Sequence, residues 1–259
     1  MAREQCDALA DALGLTLDDV VALVGGGGKT TAMFRLAREM VARGGSAIAT
    51  TTTRIFAAQI ALSPAHVLAA QATRERVVAA LAVDRQVLVI GATSRSTGKA
   101  DGVSLDLFGR LREWCPGACI LNEADGSRMR PFKAPAEHEP VIPAETTLVV
   151  PVVGADVFGK ALDAEHVHRP ELVSALARAP LGAPITPEIV ARVLVHPDGG
   201  LKGVPVDARV VALINKVEML PDRTPARETA ERLLGAPGIR RVVLTNLRGE
   251  KPVLEVYQR

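Results

Sequence analysis

Apolar positions fall along this chain in two rhythms. Continuous apolar runs recur at 20–24, 46–49, 86–91, 118–121, 146–153, 209–214 and 240–245. Runs of that length, rich in Val, Ile, Leu and Ala and bounded by glycine or proline, predict strands buried on both faces. Between them lie stretches with apolar residues three and four apart, which predict helices over 4–13, 30–43, 73–81, 105–113, 170–177, 187–195 and 224–234. In the second of these, Met33, Phe34, Ala37, Met40 and Val41 share one face. Gly14 is a plausible stop for the first, and Thr186 before Pro187 is a good helix start. Residues 92–102, small, polar and glycine-bearing, read as a mobile loop.

Strands alternating with helices across short turns predict parallel strands joined by right-handed crossovers. The expected fold is α/β, a P-loop NTPase-like mostly parallel sheet with helices on both faces. One domain over 1–259 is expected, with 154–205 as a helical insert near the active edge. Nothing repeats internally. Hydrophobic residues make up 48% of the 259 and aromatics only 3%, which suits an aliphatic core. A net charge of +2 without a basic block gives no reason to expect nucleic acid. Three cysteines, Cys6, Cys115 and Cys119, form no disulfide framework, and Cys119 within an apolar run reads as core. No run reaches membrane-spanning length, and the first residues lack a signal layout, so a cytoplasmic protein without membrane contact is expected.

The chemistry concentrates where the first apolar run meets Gly25, Gly26, Gly27, Gly28, Lys29, Thr30 and Thr31. A helix N-terminus presents unpaired N–H groups and a partial positive charge, so a glycine turn leading into one attracts phosphate. Lys29 would neutralise the terminal phosphates, and the Thr30 hydroxyl would ligate Mg²⁺. The common spacing G-x-x-x-x-G-K-[ST] is not met, because Leu23 stands six before the lysine. The shortened loop resembles that of the ATP-dependent amide ligases of cell-wall synthesis. The threonines at 50–53 end a strand on the same edge, where Thr52 could hold the metal and Arg54 could touch a phosphate. The run at 118–121 leads into Glu123 and Asp125, spaced to share one side of an extended chain and to complete the Mg²⁺ site or orient an attacking group. Downstream, Arg128, Arg130 and Lys133 lie in a proline-stiffened stretch, and Arg169 opens a helix. Any of the three arginines could offset transition-state charge. Two histidines, His166 and His168, could share a face, but without a cysteine or third histidine nearby they do not predict zinc. Asn215, Lys216 and Glu218 resemble the N-K-x-D signature that reads guanine in GTPases, with glutamate in place of aspartate, so ATP and GTP both stay open.

Taken in order, GGGGKTT, TTTTRI, EADGSRMRPFKAPAEHEPVIP, VVGADVFG, HVHRPE and NKVE resemble one family along nearly the whole chain. It is the YqeC-like family of selenium-dependent hydroxylase accessory proteins, and the EADGS and KAP stretch is its most specific part. The resemblance implies a cytoplasmic nucleotide-binding protein that helps to mature molybdenum hydroxylases whose cofactor carries labile selenium. Three readings stay open: an Mg²⁺-dependent enzyme that hydrolyses ATP or GTP or transfers its phosphoryl group, a nucleotide-gated switch that hands cofactor to a molybdenum hydroxylase with little turnover, and a non-hydrolytic binder of a phosphorylated metabolite.

Overall fold

All seven apolar runs become strands of one sheet. The computed structural model describes residues 6–259 and, before them, the backbone strand Ala2–Arg3. In chain order the sheet strands are β1 (Ala2–Arg3), β2 (Val20–Gly25), β3 (Ser46–Thr51), β4 (His66–Leu68), β5 (Gln86–Ile90), β6 (Ala118–Glu123), β7 (Leu148–Gly154), β8 (Arg209–Asn215), β9 (Arg241–Thr245) and β10 (Val253–Gln258). Across the sheet they lie β1-β10-β9-β8-β7-β2-β6-β3-β5-β4. From β9 to β4 every neighbouring pair is parallel, and the two pairs that β10 makes are antiparallel.

Burial on both faces explains the apolar runs. Val21 and Leu23 pack beneath α1 (Leu9–Leu13) and α2 (Lys29–Ala42). Val20, next door and pointing the other way, joins α3 (Arg74–Asp84) and α4 (Leu105–Trp114). Farther along that second face, α5 (Pro170–Ala177), α6 (Pro187–Leu194) and α7 (Thr224–Gly235) cover Val153, Ala212, Ile214 and Leu244. Phe34 and Phe108 are fully buried, one on each face, and burial of such a ring contributes about 2–3 kcal/mol. The α/β fold with helices on both faces is therefore as the pattern predicts. Cys119 is core as expected, and burial, with Asp19 and Asp18 nearby, pushes its thiol up to about 12.

Helix boundaries follow local chemistry. Thr186 Oγ1 accepts from Ile189 N at 3.3 Å and starts α6, Thr73 caps α3 the same way, and Gly14 closes α1 at φ +65°. The helix expected over 4–13 begins at Leu9, and residues 4 and 5 lie outside the described residues. The stretch 92–102 is not the loop its polarity suggests. Thr93–Ser94 and Lys99–Ala100 form a hairpin, and Ile55–Phe56 adds a third strand beside Lys99–Ala100. The hairpin is sewn to the sheet by Gly91 N to Asp101 O, Asp101 N to Ala92 O and Val103 N to Thr51 O, at 2.8–2.9 Å.

One topological fact positions the site. β2 is flanked by β6, which carries Glu123, and by β7. The helix after β2 covers one face and those after β7 the other. Such a reversal opens a crevice at the carboxyl ends of the strands.

Candidate functional site

Gly25 to Gly28 form a tight turn whose glycines are demanded by the protein itself. Gly25, Gly27 and Gly28 have φ of +93°, +84° and +143°. A Cβ on Gly25 would sit 2.3 Å from Val152 O, on Gly26 2.5 Å from Arg130 O, on Gly27 2.2 Å from Gly154 N and on Gly28 2.3 Å from Asn215 Nδ2. The turn is thus wedged between β7, β8 and the stretch after Arg130. Gly26 N donates to Val152 O at 2.9 Å, and Gly25 N donates to both Asp125 oxygens at 3.1 Å. The amides of Gly27 to Thr31 have no protein acceptor among the described residues, and no side chain caps α2. They are the orphan donors of a helix start.

Lys29, nearly buried, turns back under this turn. Its Nζ donates to Gly25 O and lies 3.3 Å from Asp125 Oδ1 and 3.7 Å from Glu123 Oε1. Burial opposes its charge, but Asp125 and Glu123 outweigh it and raise its pKa. The Thr30 hydroxyl donates to Glu123 Oε2 at 2.6 Å. Glu123 is the carboxylate left short of charge: burial raises its pKa, and Lys29 and Thr30 compensate only in part. Asp125 has a second cation, Lys133 Nζ at 3.0 Å. Lys133 also donates to Gly126 O and, at 2.6 Å, to Glu139, which Arg169 holds at 2.7 Å. Despite its burial, Arg169 and Lys133 hold the Glu139 carboxyl at about 2. An alternating chain of charges thus runs from Thr30 to the start of α5.

Above the turn lies a cleft of about 990 Å³. Of the residues expected from sequence, Gly27, Gly28, Lys29, Thr30, Thr31, Thr52, Glu123, Arg128, Arg169, Asn215, Lys216 and Glu218 line it. Gly25, Gly26, Asp125 and Arg130 do not: Asp125 is buried behind Lys29, and Arg130 presents its carbonyl to the back of the glycine turn. Thr52 Oγ1 donates to Val141 O at 2.7 Å and accepts from Asn122 at 3.2 Å, so its hydroxyl proton is committed to a backbone tie. Asn215 is likewise occupied. It donates to Gly27 O at 2.8 Å and accepts from Thr245 and Leu247 N, which makes it a strut of the glycine turn. Lys216 Nζ sits on Asp156 Oδ2 at 2.6 Å.

Lys133 and Glu139 were visible only as charges in a proline-rich stretch, and nothing in their spacing signals that both would be drawn beneath the site. His168 also lines the cleft, where burial and the cations Arg169, Lys133 and Arg128 lower its pKa to about 4. Among the described residues, four of the six non-glycine residues with positive φ, Arg128, Met129, Arg169 and Lys216, line this cleft. Each such residue costs about 1–3 kcal/mol, and such residues gather where a site needs a fixed shape. Among the described residues, no helix is long and apolar enough to cross a membrane.

A family model described as YqeC protein matches residues 21–171, a stretch that holds the glycine turn, both carboxylates, Lys133, Glu139 and Arg169. The chain is also similar to "Uncharacterized protein YqeC" of Escherichia coli (strain K12). The two are 30% identical over 198 residues, which cover 76% of this chain and 75% of that protein.

Proposed function

The chain belongs to the YqeC family, and from that premise and the cleft's geometry we propose that it binds a magnesium–nucleoside triphosphate, ATP or GTP, on the glycine turn. The observation that carries this reading is the row of unpaired amides from Gly27 to Thr31, opening on a cleft with Lys29, Thr30 and Glu123 at its floor. Positive and negative side chains line that cleft unequally, seven Lys or Arg against four Asp or Glu, which favours a polyanion. Its volume is in the range of small-molecule sites. The donor set suits a hard divalent ion as well. Thr30 and Glu123 supply oxygen ligands, and a cation arriving at Glu123 relieves a carboxylate that burial leaves under-compensated.

In this reading the amides and Lys29 hold the β- and γ-phosphates, Asp125 keeps Lys29 charged and aimed, and Arg128 and Arg169 face charge that develops during transfer. Bound Mg²⁺ would neutralise phosphate charge. Hydrolysis or phosphoryl transfer, acting in the cytoplasm in the maturation of a selenium-dependent molybdenum hydroxylase, is the role we attach to the site. The family resemblance supplies that client.

Calorimetric titration with ATP and GTP, each with and without Mg²⁺, tests the reading. Lys29→Ala is expected to abolish measurable binding. Because it also leaves two buried carboxylates short of a cation, Thr30→Val provides a second probe, expected to keep the fold and lose the Mg²⁺ dependence. Equal affinity in both variants and the parent overturns the proposal.

A further inference from the structure

The cleft is longer than one nucleotide on this turn accounts for. It runs along the carboxyl edge of the sheet from β8 past β7, β2 and β6 to β3. Four inter-strand spacings make that roughly 19 Å. The glycine turn stands at the midpoint, so a polyphosphate held there sends its nucleoside to one side and leaves the other open.

The two sides differ chemically. Toward β8 the wall carries Lys216, Glu218, Met219 and Leu247, and the lysine's charge is already taken by Asp156. An acid acceptor beside apolar surface suits a neutral, hydrogen-bonding base. Toward β3 the wall carries Arg54, Lys99 and Arg128 with Phe56 and Met129. Arg54 is paired with Asp101 at 3.0 Å, but Lys99 and Arg128 have no carboxylate partner among the described residues. Phe56 is 43% exposed, and Lys99 Nζ stands 5.8 Å from its ring centroid. The ammonium over the ring is a cation–π contact, so Phe56 and Lys99 together present an aromatic and cationic surface to the cleft. The pair is also held in place: Phe56 is the register partner of Lys99 in the three-stranded ribbon, and Ala57 N donates to Gly98 O at 2.9 Å.

We propose that this half of the cleft is a second binding site, for a small anion that carries a planar ring: a phosphorylated or carboxylated aromatic or heterocyclic compound. The ring stacks on Phe56, and the anionic group meets Lys99 and Arg128. The inference rests on the nucleotide occupying the glycine turn, which places the two ligands side by side with their charged ends converging on β2.

The test uses the full chain with flavin mononucleotide and 8-anilinonaphthalene-1-sulfonate as planar anionic probes, read by fluorescence with and without a saturating non-hydrolysable Mg²⁺–ATP analogue. A probe should bind in both cases. Phe56→Ala and Lys99→Ala should each weaken it by about tenfold while analogue affinity, measured without probe, stays within about twofold. Displacement of both probes by the analogue, no saturable binding of either, or unchanged probe affinity in both variants overturns the second site. Probe binding that depends on Phe56 in a protein that never binds the analogue overturns the nucleotide reading and keeps the anion site.

Discussion

Glu139 and Glu123 lie at two ends of the same buried charge chain and respond to pH with opposite sign. Glu139 has a folded pKa of about 2 against 4.5 for an ordinary glutamate, so its contribution to stability is complete above 4.5 and is lost as pH falls toward 2. The full shift corresponds to roughly 3 kcal/mol. Urea unfolding followed from neutral pH into that window should show the loss, and Glu139→Gln should flatten it. A variant that loses stability as steeply as the parent would show that the slope comes from elsewhere. Glu123 is raised instead, chiefly by burial, so its effect favours the fold at low pH and fades as pH rises. Whenever it is ionised, it is a carboxylate kept in an unfavourable place. Glu123→Gln retains an acceptor for Thr30 and leaves Lys29 paired with Asp125. It is expected to raise the melting temperature slightly while weakening Mg²⁺-dependent nucleotide binding, a trade common where a site is built at the expense of the fold. A lowered melting temperature with unchanged Mg²⁺ dependence would refute that assignment.

At the scale of elements, the glycine turn invites a comparison that separates packing from backbone conformation. Gly27 and Gly44 have nearly the same φ, +84° and +82°, yet a Cβ on Gly27 meets Gly154 N at 2.2 Å and one on Gly44 meets nothing. Gly44→Ala should therefore cost only the left-handed backbone penalty, about 1–2 kcal/mol. Gly27→Ala must move β7 or the turn itself, and is expected to cost more and to reduce nucleotide affinity as well. Equal losses in thermal unfolding would mean the turn is looser than it looks. The seven central strands were legible because each is buried on both faces and so carries an uninterrupted apolar run. β10 was not, because an antiparallel strand such as VLEVYQ mixes polar and apolar positions, and Glu255 in it is there to hold Arg223 and Arg227. The ribbon at 93–100 was missed for a similar reason: two-residue strands have no periodicity to read, and their order comes from backbone ties to Thr51, Gly91 and Ala92.

Across the whole molecule, the site draws on the ends of β2, β3, β6 and β8 and on the turn before α5, segments up to nearly two hundred residues apart in the chain. The floor residues could be named from sequence because each sits at a strand end, where the parallel topology converges. Partner choice could not. Which cation meets Asp125 depends on how the proline-rich stretch folds back, and only the fold brings Lys133 to it and pairs Phe132–Lys133 with Val167–His168. That pairing makes Lys133 the link between the glycine turn and α5, although it does not line the cleft. Lys133→Met keeps the side chain's bulk but leaves Asp125 and Glu139 buried and under-compensated, and should cost about 3–5 kcal/mol. Glu139→Gln alone leaves Lys133 on Asp125 and should cost less. If the two act as one network, the double variant is less destabilised than the sum of the singles by about 0.5–3 kcal/mol, because the glutamine removes one of the carboxylates the methionine stranded. Unfolding free energies of the four proteins decide it. Additive losses would mean that Lys133 serves Asp125 and Glu139 separately, and that the glycine turn and α5 are held by contacts other than this chain of charge.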